Sequence, residues 1–114
     1  MLTVDVMIEP KVDFTQIEPV VEEVCRANQL QITLKTTLAG YPGSIHWHLK
    51  QGRKRGALEL TVWPQQRRLW FKVQSGRTGV WIDEAIDRLK PQLEEALKPL
   101  CIPDKKPSKS GIRP

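Results

Sequence analysis

The chain has 114 residues, 18 basic and 13 acidic side chains, a formal net charge of +5 and two cysteines. That length is about one ordinary domain with a self-supporting core, and two cysteines without clustered spacing exclude a disulfide framework and a cysteine-based zinc site. No apolar run approaches the roughly 18 residues of a membrane span, and residues 1–7 lack the basic start and apolar stretch of a signal peptide, so a cytoplasmic protein with no membrane partner is expected.

Leu2, Val4, Val6 and Ile8 alternate with polar or exposed-type residues and predict a half-buried strand stopped by Pro10. Phe14, Ile17, Val20, Val21, Val24 and Cys25 recur at three- and four-residue steps, which predicts a helix that Asp13 or Thr15 can cap. Pro19 leaves two forms of that helix open: one that starts with Pro19 in its first turn, and one that begins at Phe14 and kinks. The next strand places Leu30, Ile32, Leu34 and Leu38 on one face and Gln31, Thr33, Lys35 and Thr37 on the other, before the turn run Gly40-Tyr41-Pro42-Gly43-Ser44.

Three strands then form a meander. The first, from Ile45 to about Gln51, turns Ile45, Trp47 and Leu49 one way and His46, His48 and Lys50 the other, and the loop Gly52 to Gly56 forms its tip. In the second, Ala57 to Trp63, Leu58, Leu60 and Val62 alternate with Glu59, Thr61 and Trp63. After a turn at Pro64 to Arg67, Leu69, Phe71 and Val73 alternate with Arg68, Trp70, Lys72 and Gln74. That turn sets a register that pairs Trp63 with Arg68, Thr61 with Trp70 and Glu59 with Lys72. A final helix carries Ile82, Ala85, Ile86, Leu89, Leu93, Ala96, Leu97 and Leu100 on one stripe, with Pro91 kinking or splitting it.

Two helices with one apolar stripe each and a sheet with one apolar face close best as an α+β two-layer sandwich. The expected fold is a mainly antiparallel five-stranded sheet with two helices on one face, in the order β-α-β-β-β-β-α. Residues 1–102 form a single domain in this reading, and residues 103–114 a flexible, basic, proline-rich tail.

The charge is sorted along the chain. Residues 35–77 hold nine bases against one acid, Glu59, a balance of +8, whereas residues 1–34 hold two bases against six acids and residues 78–100 three against five. On the expected fold the bases fall on the strands and hairpin tips and the acids on the helices, so the open sheet face should meet something anionic. The candidate binding residues are Lys35, His46, His48, Lys50, Arg53, Lys54, Arg55, Trp63, Arg68, Trp70, Lys72 and Arg77. Bases stack on aromatic rings while Lys and Arg meet phosphates, so single-stranded nucleic acid or another polyanion is the expected partner. The alternative is a protein partner or a homodimer docking on the same tryptophan-bearing face.

His46 and His48, about 6.5 to 7 Å apart on one strand face, could converge on a metal with Glu59 as third ligand. With no further His or nearby Cys, they are read as a surface pair, and neither a metal nor a cofactor is assigned. The Ser75 to Gly79 loop offers glycines, Thr78 and Arg77 at a helix start, but a tight turn capped by Thr78 explains it more simply. The chain has no nucleophile elbow, HExxH or CxxC, and an enzyme is not expected.

Overall fold

The computed structural model describes residues 1–103. The expected tail, from residue 104 on, lies outside the described residues. The elements are β1 (Leu2–Val6), α1 (Ile17–Ala27), β2 (Gln31–Thr36), β3 (Ile45–Lys50), β4 (Leu58–Trp63), β5 (Arg68–Val73) and α2 (Val80–Leu97), which is the order expected. All strand pairs are antiparallel and the sheet runs β1-β5-β4-β3-β2, so β4 is central and β1 and β2 are its edges. No described helix is long and apolar enough to cross a membrane.

The two prolines act as their positions dictate. Asp13 accepts the Thr15 backbone N–H at 3.0 Å and starts a 3-10 turn at Phe14–Gln16, which runs directly into α1. Pro19 is the third residue of α1, where the backbone N–H has no intrahelical acceptor, so the ring costs the helix nothing. Ile17, Val21 and Cys25 form the buried stripe, and burial pushes the Cys25 thiol up to about 12, which makes it an unreactive core residue. Pro91 lies inside α2, which continues through it to Leu97; Leu100 belongs to a separate 3-10 turn. The core is closed by Trp81, Ile82, Ala85, Ile86, Leu89 and Leu93 of α2 packing with Trp47, Leu49, Leu60 and Phe71 of the sheet.

The meander has the register read from its turn, with Trp63 opposite Arg68, Thr61 opposite Trp70 and Glu59 opposite Lys72. Strand β2 does not keep the expected alternation. Ile32 faces Leu49, but the next paired residue, Leu34, faces His48, and Lys35 faces Trp47, so a bulge at Thr33 shifts the phase. An extra residue in a period-two element sends everything after it to the other side. Lys35 therefore sits on the helix side, where it pairs with Glu18 and, at 2.6 Å, with Glu22 of α1. Leu34 is 43% exposed on the other side.

The β3–β4 tip is pinned to the start of α2. The Arg55 carbonyl accepts the Trp81 indole N–H at 2.7 Å, the Ala57 N–H reaches the Arg77 carbonyl at 3.0 Å, and Lys50 Nζ donates to the Gly56 and Lys54 carbonyls at 2.7 and 3.2 Å. Glycine is required on both sides of this seam. Gly56 has φ +97° and a Cβ there would stand 2.6 Å from the Arg77 carbonyl oxygen, while a Cβ on Gly79 would overlap the Arg55 carbonyl oxygen. Gly56→Ala and Gly79→Ala should each destabilise the protein by about 1–3 kcal/mol in urea denaturation. Gly40→Ala, with nothing within 4 Å of the added carbon, should change stability by less than about 0.5 kcal/mol.

Candidate functional site

The sheet face turned away from the helices is not an open platform. Residues 38–44 fold back over it in two successive turns, Tyr41 N–H to Leu38 carbonyl and Ser44 N–H to Tyr41 carbonyl, both at 3.0 Å, with the Ser44 hydroxyl accepting the Leu38 N–H. Gly43, at φ +81°, supplies the left-handed residue that the second turn needs. Tyr41 then lies edge-on to Trp63 with ring centres 4.8 Å apart and tilted against Trp70 at 5.8 Å, and the Trp63 indole donates to the Pro42 carbonyl at 3.0 Å. Trp70 is left only 6% exposed, with the Arg68 guanidinium 4.6 Å over its ring. The two tryptophans expected to stack bases are thus occupied by the protein itself.

Beside this aromatic cover lies a cleft of about 520 Å³ lined by Leu38, Tyr41, His46, His48, Glu59, Thr61, Trp70, Lys72, Gln74, Ser75 and Arg77. Two rungs of the sheet build its floor: His46, Thr61 and Trp70 on one, His48, Glu59 and Lys72 on the next, across β3, β4 and β5. Four polar residues are buried among those described, Ser44, His46, Glu59 and Thr61, and three of them line this cleft. Buried polar groups converging on a concavity make this the candidate site of the fold. A larger depression of about 840 Å³ at the start of α2, lined by Lys54, Arg55, Thr78, Asp83 and Glu84 among others, contains none of them. Gly79, not Thr78, occupies the cap position of α2, and no side chain caps it.

The imidazoles meet in the floor. His46 Nδ1 is 2.7 Å from the Thr61 hydroxyl, and His46 Nε2 is 3.1 Å from His48 Nε2. Glu59 straddles the pair, Oε1 at 3.6 Å from His46 Nε2 and Oε2 at 3.9 Å from His48 Nε2. Both separations exceed hydrogen-bond length. Among the described residues, no donor reaches the Glu59 carboxylate, although its side chain is only 7% exposed. Burial pushes His46 below its ordinary value; the Glu59 carboxylate opposes this, and His48 and Lys72 reinforce it. Neutral imidazole is the form this floor favours. The expected surface pair is therefore part of a cluster in which His46, Glu59 and Thr61 are buried and His48 is half-buried.

The bases sort into two groups. Lys35 is held by Glu18 and Glu22, on the opposite side of the sheet from the cleft; Lys50 is held by loop carbonyls, Arg68 by Asp5 at 2.7 Å, and Lys54 by Gln51. Arg67, in the left-handed conformation at φ 52°, donates to the Pro10 and Val12 carbonyls at 2.7 and 3.0 Å and lies over Phe14, which makes it a structural tie that its place in a basic run did not disclose. Lys72 and Arg77, at the cleft, have no carboxylate within ion-pair distance among the described residues, and Arg53 and Arg55 are exposed at the tip.

Comparison of the chain with protein-family models, with curated proteins and with solved structures finds no match.

The depressed His46 gives the fold a pH dependence of known sign. An unfolded histidine, near its ordinary value of about 6.5, binds a proton that the folded one resists, so stability falls as the pH drops through that value towards the folded-state one. In chelator-treated protein the urea midpoint should fall between about pH 7.5 and about pH 5.5, and His46→Gln should flatten that fall. An equal slope in both proteins would place the titrating group elsewhere.

Proposed function

We propose that the chain is a binding module that takes an anionic group of the phosphate type into the cleft over His46, His48, Glu59 and Thr61. The observation that carries this reading is the contrast between occupied and free bases: Lys72 and Arg77 line a cleft whose floor is polar and buried, and they lack carboxylate partners among the described residues. Each offers donors to an anion, and Ser75 and Gln74 stand beside them to complete its hydrogen bonds. Partial enclosure by Leu38, Tyr41 and Trp70 removes competing water, which strengthens such contacts.

The reading narrows the expectation of a strand laid along the whole face. Trp70 is buried, Trp63 is half-buried with Tyr41 against its ring, and Lys35 faces the helices, so a long aromatic and basic track is not supported. A single phosphate, either of a small molecule or of a nucleic-acid backbone, fits the cleft. The Arg53 to Arg55 tip, exposed beyond β3 and β4, would add a second contact to a longer polyanion.

Chelator-treated protein titrated with pyrophosphate and with a short single-stranded oligonucleotide should show amide shifts centred on His48, Thr61, Gln74 and Arg77 by NMR. Lys72→Ala and Arg77→Ala should each weaken binding about tenfold or more, since a hydrogen bond to a charged group contributes about 1.5–3 kcal/mol. Contact with about two phosphates predicts a salt slope near −1.4 for the oligonucleotide. Absence of binding at low salt, or shifts confined to Arg53–Arg55, would remove the cleft from the function.

A further inference from the structure

We infer that His46, His48 and Glu59 form a binding site for a divalent first-row transition-metal ion of the zinc type, with its open coordination position facing the cleft. The three side chains come from adjacent central strands, His46 and His48 two residues apart on β3 and Glu59 opposite His48 on β4, so the sheet itself fixes their spacing. Their ligand atoms all lie within 4.8 Å of one another.

Two independent observations point to a cation. The first is geometric. Four ligands at the usual zinc bond lengths of about 2.0–2.1 Å have edges of about 3.3 Å between them. The separations here are 3.1 Å between the two Nε2 atoms, 3.6 Å from His46 Nε2 to Glu59 Oε1 and 3.9 Å from His48 Nε2 to Glu59 Oε2. The second is the state of Glu59. Its side chain is more than nine-tenths buried, both oxygens are aimed at the imidazoles, and no described group donates a hydrogen bond to it. A hydrogen bond between the imidazoles can satisfy one shared proton, but it leaves the carboxylate without a donor; a divalent cation satisfies all three groups at once.

The supporting contact is also in place. Metal-bound imidazoles characteristically donate their other N–H to a fixed acceptor, which sets the tautomer and aims the ligating nitrogen. Thr61 does this for His46, its hydroxyl 2.7 Å from Nδ1, so that Nε2 faces His48 and Glu59. Two imidazoles and one carboxylate are borderline donors that suit zinc and its neighbours rather than magnesium or calcium, which take oxygen ligands. Three protein ligands leave room for a fourth from outside. That position opens on Lys72 and Arg77, so a bound ion would add positive charge where the anion is proposed to sit. The metal site shares the cleft but does not depend on the anion reading.

The test uses untagged full-length chain, stripped with chelator and held in phosphate-free buffer, with zinc and cobalt(II) as probes. Wild-type protein should take up one equivalent of zinc, show the visible absorption of four- or five-coordinate cobalt(II) without a thiolate charge-transfer band, and ignore magnesium. His48→Ala and Glu59→Gln should each weaken zinc binding about 100-fold or more, and Thr61→Val about 10- to 100-fold. Circular dichroism checks that each variant is folded. No zinc uptake by the wild type would overturn the inference. So would a thiolate band, which assigns the metal to cysteine, or affinity unchanged in folded His48→Ala and Glu59→Gln. If a variant fails to fold, the wild-type cobalt spectrum decides, since nitrogen and oxygen ligation without thiolate fits only this cluster among the described residues. Pyrophosphate binding measured in chelator stays separate: metal uptake without it refutes the anion reading alone, and the reverse refutes the metal alone.

Discussion

Glu59 places an ionisable carboxylate near the start of the central strand, 5% exposed, and the sheet must be arranged to tolerate it. A carboxylate out of water costs several kcal/mol unless charge and hydrogen-bonding partners are supplied on site. The residues nearest to it on the adjacent strands, His46 and His48 on β3 and Lys72 directly across on β5, stand close but form no hydrogen bond to it, so the need for a partner is left open. A slip of one residue in β3 would put Trp47 or Leu49 against the carboxylate, and a slip in β5 would put Phe71 or Val73 there. The alternation that fills the core with Trp47, Leu60 and Phe71 is thus the same alternation that assembles the polar floor behind it.

The second constraint is the cover. Tyr41 closes against Trp63 and Trp70 at one end of the face and leaves the histidine end accessible, so one surface carries an apolar lid and a polar cleft side by side. Enclosure lowers the local dielectric, which raises the cost of unpaired groups and the strength of paired ones together. The proposed role of the cluster in holding a charged ligand rests on that enclosure. The helix layer solves its own electrostatics separately: Glu22 is partly buried, which raises its carboxyl, but Lys35 and the Trp47 indole donate to it and hold it below the ordinary value.

The strongly basic stretch from Lys35 to Arg77 is divided by the fold into unrelated tasks. Lys35 joins α1 to β2, Lys50 closes a loop, Arg67 ties residues 9–12 and Arg68 covers Trp70, leaving Lys72, Arg77 and the tip arginines for a partner. A charge tally weighs all nine alike. Function depends on which of them already have a partner, and that is a property of distances.

The order of elements, the apolar stripes of the two helices, the Asp13 cap of the turn before α1 and the meander register were legible because each rests on neighbours in sequence. Thus the short Pro64–Arg67 turn alone put Glu59 opposite Lys72 and Thr61 opposite Trp70. The placement of Lys35 was not legible, since one unpaired residue at Thr33 reverses the face of all that follows, and Leu34 and Lys35 do not reveal in isolation which phase they keep. Nor was the burial of Trp70, against which Tyr41 packs from 29 residues away in the chain. Local spacing determined that two histidines and a glutamate share one face; only tertiary structure, through the fixed distance between paired strands, decided that they converge, that His46 and Glu59 are buried and that the Glu59 carboxylate receives no hydrogen bond among the described residues. Periodicity specifies direction from the backbone, whereas solvent access and convergence depend on segments that the periodicity does not contain.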